Sequence, residues 1–403
     1  MKSSSSSQRL AIILSHPTQY FSPWFRHIAA NSAIEIKLFY LWDFGVETRH
    51  DKNFGHALKW DIPLLDGYEY EFVPNKSRDP GTHHFLGLNN PELTARIADW
   101  RPDAILMFGY TYLSHLRILC SPRFYKIPLL MRGDSHDLYR QSGFKQTIKH
   151  LMRRLVFKRF SGFFAVGKAN AEYFQHCQVP DSKIQFVPHC VDNSRFQSAA
   201  NQAMQEAVVW RQEFGISSAA TVFLFAGKFE NKKRPQDLVK AFLTLRSEAP
   251  AKECALVMIG AGELEPQLRL LAGDELGRSI FFAPFQNQTL MPKVYALGDV
   301  LVLPSFGAGE TWGLAVNEAM NLAKPVIVSS HVGCGPDLVK DRGTGWIFEA
   351  DNIAALGNAM REAVELGREG LALKGIAAKE LIADYSYEAA TKSLIQELDA
   401  ILA

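Results

Sequence analysis

Residues 304–345 read PSFGAGETWGLAVNEAMNLAKPVIVSSHVGCGPDLVKDRGTG. The apolar run Val300–Leu303 just ahead of them predicts a buried strand that ends at Pro304 and a glycine-rich turn. Glu310 follows, a helix opens near Trp312, Gly313 and Leu314, and Glu318 stands eight residues after the first carboxylate. In an open α/β sheet the turn after a strand lies at the carboxyl edge, where ligands bind. A helix N-terminus there offers free backbone N–H groups and a positive dipole end to an anion. Two carboxylates beside such an anion site suit a ligand with both phosphate and neutral hydroxyls, such as a nucleotide sugar.

Upstream, the same strand–turn–helix rhythm recurs. Strands are expected at Leu10–Leu14, Ile36–Tyr40, Ala104–Phe108, Leu129–Met131, Gly162–Val166 and Ile184–Val187. Helical patterns fall near Pro23–Ala30, Pro91–Asp99, Phe144–Lys158 and Ala169–Cys177. In the second half, strands are expected at Val222–Ala226, Ala255–Ile259, Ile280–Phe282, Val300–Leu303 and Val326–Val328. Helices there are expected at Pro235–Ser247, Leu264–Leu271, Leu290–Leu297 and Gly313–Leu322. Short strands alternating with helices imply parallel sheets covered on both faces. A polar stretch from Asp192 to Ala220, with one helix over Ala203–Phe214, breaks the rhythm and sets the domain junction. The expected division is a first domain at 8–195, a linker region at 196–220 and a second domain at 221–385. A final helix at 386–403 is expected to pack back towards the first domain.

The 403 residues exceed one ordinary core, so two domains are the expected count. Hydrophobic content of 47% and charged content of 21% are those of a globular protein, and a net charge of +2 gives no general pull towards nucleic acid. Five scattered cysteines without a C-x-x-C pair argue against a disulfide framework or a zinc site and suit a reducing cytoplasm. No apolar stretch reaches membrane-spanning length. The pair His83-His84 has no matching ligands nearby in the sequence, so no metal site is expected there. No Asp-x-Asp triplet occurs anywhere.

Several residues together carry a likeness to a known family. They are Gly227-Lys228-Phe229 with Lys233-Arg234-Pro235, Glu310 with Glu318, and Lys324-Pro325-Val326-Ile327-Val328-Ser329. Gly335-Pro336-Asp337-Leu338-Val339 and, earlier, Phe186-Val187-Pro188 with Val191-Asp192 and Phe196 continue it. With these the chain resembles glycosyltransferase family 4, the retaining group 1 glycosyl transferases. The resemblance implies the GT-B fold, α/β with two facing Rossmann-like domains and a cleft between them. His16-Pro17-Thr18-Gln19-Tyr20 stands where the family often has a Gly-Gly loop, Lys228 where it has Arg, and Asp337 where it has Glu.

The family pattern implies a metal-independent hexosyltransferase that takes a nucleotide-diphosphate sugar as co-substrate and needs no cofactor. Its acceptor would be a glycan or a lipid-linked molecule, in cell-surface polysaccharide or glycoconjugate biosynthesis. Glu310 and Lys233 are the implied catalytic residues, and His136, which follows a buried strand expected to end at the cleft edge, is read with them. Gly227, Lys228, Lys233, Gly262, Gln286, Trp312, Gly313, Leu314 and Glu318 are the implied donor side. Glu318 would take the ribose hydroxyls and Glu310 the donor-sugar hydroxyls. Arg132, Asp134, His16 and Gln19 fall at strand ends of the first half and are read as acceptor-side groups. Other readings stay open residue by residue. Lys233 and Arg234 taken alone would be a solvated helix start. His136 could be a structural histidine, Gln286 and Asn287 ordinary loop polars, and Gly260-Ala261-Gly262 a tight strand–helix turn whose backbone nears the donor. Same-fold alternatives are a sugar-nucleotide epimerase or hydrolase and a non-catalytic scaffold.

Residues 144–160 read FKQTIKHLMRRLVFKRF, an amphipathic basic helix. It either lies on an anionic membrane surface, at the inner face of the plasma membrane, or packs on the core with a basic solvated face.

Overall fold

A computed structural model describes residues 7–46, 49–51, 56–58, 60–140, 143–248 and 253–403. In chain order the strands of the first half are β1 (Arg9–Leu14), β2 (Glu35–Tyr40), β3 (Arg49–Asp51), β4 (His56–Leu58), β5 (Glu69–Phe72), β6 (Ala104–Phe108), β7 (Leu129–Gly133), β8 (Gly162–Ala165) and β9 (Ile184–Phe186). Those of the second half are β10 (Thr221–Ala226), β11 (Cys254–Ile259), β12 (Ile280–Ala283), β13 (Val300–Leu303), β14 (Val326–Ser329) and β15 (Gly345–Phe348). The helices are α1 (Phe21–Asn31), α2 (Leu93–Trp100), α3 (Leu113–Leu119), α4 (Phe144–Phe157), α5 (Lys168–His176), α6 (Asn193–Glu213), α7 (Pro235–Glu248), α8 (Glu265–Ala272), α9 (Met291–Leu297), α10 (Leu314–Asn321), α11 (Ile353–Ile382, broken at Gly367) and α12 (Tyr387–Leu402).

One sheet has seven parallel strands in the order β5-β2-β1-β6-β7-β8-β9 and the other six in the order β12-β11-β10-β13-β14-β15. Strands β3 and β4 pair separately as an antiparallel ribbon. Both sheets start at a central strand, build outward on one side, then cross over to build on the other. The reversal falls between β1 and β6 and between β10 and β13. Such a switch point leaves a crevice at the carboxyl ends of the strands, where α/β folds bind ligands.

The central strands are continuous apolar runs because helices cover both of their faces. Ile12, Ile13, Leu106 and Met107 in one sheet, and Phe223, Val257 and Val302 in the other, are fully buried. Each such side chain contributes roughly 1.5–3 kcal/mol relative to exposure. The expected central strands all form. The edge strands β5 and β15 and the short helix α3 were not anticipated. Strand β5 reads EYEF and is half exposed, so it lacks an apolar run. It is held by charge across the ladder, with Lys37 Nζ 2.9 Å from Glu69 and 3.3 Å from Glu71.

The helix expected over Ala203–Phe214 begins ten residues earlier, at Asn193. Asp192 caps it, its side chain accepting the Arg195 N–H at 2.9 Å. Only Phe196, Ala203 and Ala207 are buried, one narrow stripe against α9, which explains the polar composition of the segment. Helix α12 packs on α1, and its Tyr387, Ala390, Leu394 and Leu398 join the core of the first sheet. Helix α4 does not pack as a core helix. Phe144, Ile148, Leu151, Met152 and Leu155 are 47–81% exposed, and among the described side chains of this helix Phe157 alone is buried. Among the described residues no helix is long and apolar enough to cross a membrane.

Candidate active site

A cavity of about 550 Å³ lies between the carboxyl edges of the two sheets, at both switch points. The loop after β1 supplies His16, Gln19 and Tyr20, and the segment after β7 supplies Asp134. From the other side, the turn after β10 supplies Gly227, Lys228 and Lys233, the loop after β12 supplies Gln286, and the segment after β13 supplies Glu310, Trp312, Gly313, Leu314 and Glu318.

The β13–α10 segment owes its shape to close backbone packing. Gly313 has φ +97°, and a Cβ there would come within 3.0 Å of Leu303 and Val332. Helix α10 starts directly after it without a side-chain cap for its first N–H groups, and Leu314 and Ala315 of that first turn line the cavity. The Trp312 ring does not enter the cavity chemistry. It is buried, with Nε1 donating to Asn317 Oδ1 at 2.8 Å, while Asn317 Nδ2 donates to the His189 carbonyl at 2.9 Å.

Glu318 is 2% exposed on α10. Its Oε2 accepts the Tyr295 hydroxyl at 2.5 Å, and its Oε1 has no hydrogen-bond partner among the described residues. Burial raises its pKa from 4.5 to about 7, against the opposing pull of the Tyr295 hydroxyl and the Arg195 charge. A carboxylate oxygen buried without a donor is costly, and a ligand hydroxyl relieves that cost.

Glu310 is organised differently. Its Oε2 accepts from Lys233 Nζ in an ion pair and from Ser305 Oγ at 2.9 Å. Its backbone carbonyl accepts from the Gly333 N–H at 3.2 Å and lies 3.2 Å from His136 Nε2. His136 Nδ1 accepts the Leu138 N–H at 3.2 Å, which assigns the proton to Nε2 and makes the imidazole a donor to Glu310. Burial lowers the His136 pKa and keeps the ring neutral. Both ring nitrogens are thus occupied by backbone, and His136 lies outside the cavity that holds Glu310 and Lys233. It holds the Glu310 carbonyl and lines a neighbouring cavity with Asp137 and Thr311. Asp134, by contrast, lines the cavity and accepts the Thr311 hydroxyl at 2.6 Å.

Two further expectations are corrected. Arg132 faces the interior, where NH1 and NH2 donate to the carbonyls of Val187 and Pro188 at 2.8 and 3.0 Å and the guanidinium lies 4.8 Å from the Trp24 ring. It pins the end of β9 and touches no cleft. Gly262 supports the site without lining it. A Cβ there would meet the Phe229 carbonyl oxygen at 2.5 Å, and one at Gly260 the Gly227 oxygen at 1.9 Å, so both glycines let the two turns stack. Asn287 caps a short turn by accepting the Gln288 N–H at 2.8 Å, while Gln286 remains on the cavity wall. His83 and His84 do have a neighbour: Asp79 Oδ2 lies 2.9 and 3.4 Å from their Nε2 atoms, on the exposed surface.

His16 sits against Trp42 and Phe44 with edge-on ring contacts, and burial pushes its pKa down to about 4. Sequence reading missed Tyr20, Phe44, Trp60, His189 and Tyr295, all on the cavity wall. Tyr295 lies in an apolar helix and reads as core. Its partner Glu318 was the only available signal.

Comparison with known proteins agrees with this geometry. The model for Glycosyltransferase Family 4 matches residues 54–195, and that for Glycosyl transferases group 1 matches residues 208–379. A D-inositol 3-phosphate glycosyltransferase of Streptomyces avermitilis is 28% identical over 199 residues, 47% of this chain and 41% of the relative. One of Corynebacterium jeikeium is 30% identical over 220 residues, 52% of this chain and 50% of the relative. The chain thus spans half or less of the length of the curated relatives it matches. Among solved structures, a glycosyltransferase from Rickettsia africae superposes with a TM-score of 0.73 at 14% identity, covering 98% of this chain and 99% of the other. HepE of Anabaena in complex with UDP gives 0.73 at 15% identity, with 98% and 100% covered. With the two models matched in succession, one in each half, the chain belongs to glycosyltransferase family 4, the group 1 glycosyl transferases of GT-B fold.

Proposed function

We propose that this protein moves a hexosyl group from a nucleotide-diphosphate sugar to a hydroxyl of a glycan or lipid-linked acceptor, with retention of configuration and without a divalent metal. The observation that carries the reading is the joint presence, in one cavity, of the partnerless Glu318 Oε1 and the uncapped start of α10 beside two lysines. Ribose hydroxyls donate to Glu318, and the diphosphate takes Lys228, Lys233 and the N–H groups of Leu314 and Ala315. In the transfer, the bond from the anomeric carbon to the diphosphate oxygen breaks, and its electron pair leaves on the nucleoside diphosphate. The acceptor oxygen bonds to that carbon on the same face, and its proton passes to the departing diphosphate. Fixed cations and N–H dipoles stabilise the leaving charge, and Glu310 faces the oxocarbenium-like sugar. The UDP and glucose bound by HepE support a nucleotide-sugar donor.

Thermal shift with a panel of UDP, GDP and ADP and their sugars tests the reading. A ligand at 100 times its Kd stabilises the fold by about 2.7 kcal/mol. A melting temperature unmoved by every member of the panel would overturn the proposal. Donor consumption that yields only free sugar with every acceptor would favour a hydrolase.

We also propose that helix α4 rests on an anionic membrane surface. Its exposed apolar residues lie beside Lys149, Arg154 and Lys158, a charge pattern complementary to acidic headgroups.

A further inference from the structure

A second cavity, of about 690 Å³, opens between the two halves, and Thr311 belongs to its wall and to that of the first. Thr311 follows Glu310, so the cavities meet at the end assigned to the donor sugar, away from Glu318 and Tyr295. The charge of the second cavity is unbalanced. Its wall carries Arg140 and Arg153 with His150 and His176, against a single carboxylate, Asp137. Asp137 is already engaged, 3.1 Å from His176 Nδ1 and 3.6 Å from Arg140 NH2. Arg153 forms no ion pair among the described residues, and its guanidinium stands 5.6 Å from the centre of the Tyr173 ring.

The placement follows from helix α4. His150 and Arg153 share the face that continues to buried Phe157 and so turn into the cavity. Ile148, Leu151, Met152 and Leu155 occupy the opposite face and are exposed. One helix therefore presents His150 and Arg153 inward and its apolar side chains outward. A guanidinium without a carboxylate partner, set in a concave wall, is matched by the oxygens of a phosphate group.

We infer that this second cavity seats the acceptor and that the acceptor carries a phosphate or diphosphate group, held by Arg140 and Arg153 while its hydroxyl reaches past Thr311 to the donor sugar. The inference rests on the transferase reading above.

Calorimetry with the full chain tests it. The first cavity is filled with whichever of UDP, GDP or ADP binds, and inorganic phosphate is then titrated in. Phosphate should still bind the wild type, and Arg140→Gln/Arg153→Gln should weaken it at least tenfold while the nucleotide Kd stays within twofold, which also shows that the variant folds. His150→Glu, which sets a carboxylate in the wall, should weaken phosphate similarly if the double variant fails to fold. Two further arms, a hexose phosphate and a short-chain alkyl phosphate below its micelle concentration, separate a sugar-borne from a lipid-borne phosphate by which binds tighter. Phosphate that does not bind the nucleotide-loaded wild type, or binds the variants unchanged, overturns the acceptor assignment and leaves the transferase reading standing. A wild type that binds no nucleotide overturns the transferase reading itself.

Discussion

Glu318 and Glu310 are both carboxylates of one segment, yet their surroundings give them different properties. Glu318 is buried beside a tyrosine hydroxyl, with its pKa raised to about 7, and Glu310 is held by a lysine. In the unfolded chain Glu318 titrates near 4.5, so between pH 4.5 and 7 the folded state holds the extra proton. Its contribution to stability is present below pH 4.5 and lost as pH rises through 7, about 3 kcal/mol in all. Thermal melts of the ligand-free wild type and Glu318→Gln should therefore diverge over that window, with the wild type falling relative to the variant. Nucleotide affinity should move the other way. Ribose hydroxyls bind the charged carboxylate, so wild-type affinity rises through pH 7 relative to Glu318→Gln, and parallel profiles would remove Glu318 from the ribose. The pairing of Glu310 with Lys233 makes a separate prediction. Lys233→Ala should lower kcat/KM on the order of 10²-fold, as loss of one preorganised donor does. It also strands Glu310, so Lys233→Ala/Glu310→Gln should lose less than the sum of the two singles. Strict additivity in that double-mutant cycle would mean the two groups act apart.

At the level of elements, what could be read from the chain follows burial. Central strands such as Ala104–Phe108 and Val300–Leu303 are covered on both faces and announce themselves as apolar runs. Strand β5 lies at a sheet edge, where Lys37 takes the place of an apolar neighbour, and no run marks it, while β15 is an edge strand of only four residues, GWIF. Helix α6 hides behind a three-residue stripe. Within the site, the motif residues Glu310, Glu318, Lys233 and Gly313 could be found because their chemistry depends on local spacing. Tyr295, Trp60 and His189 could not, since each reaches the cavity only through tertiary packing. Arg132 was misplaced for a related reason: a strand end shows where a residue stops, not which way its side chain turns. Helix α4 carries its own prediction. Wild type should sediment with anionic vesicles at low salt and be released as salt screens the attraction. Lys149→Gln/Arg154→Gln/Lys158→Gln should abolish most of the binding, and Leu151→Ser/Met152→Ser should weaken it at any salt. Protein that stays in the supernatant with acidic lipid at low salt would rule out the membrane reading.

The whole molecule sets two carboxyl edges face to face, so cations after β10, the start of α10 after β13 and side chains after β1 converge on one cavity. EDTA should leave the proposed transfer within a small factor of its normal rate, measured with and without added magnesium. The anomeric proton of the product in an NMR spectrum should show the donor's configuration. A rate that EDTA abolishes and magnesium restores would contradict the charge assignment, and inversion would contradict retention. The two halves also share a small junction. His136 of the first half holds the Glu310 carbonyl, and Asp134 of the first half holds the neighbouring Thr311 hydroxyl. Swinging the sheets apart breaks both bonds and leaves Glu310 to Gly333, Ser305 and Lys233 alone. In the proposed transfer the junction would work as an interlock: Glu310 is fully braced only with the two sheets together, so a donor in an opened cleft would meet a disarmed site and be spared from water.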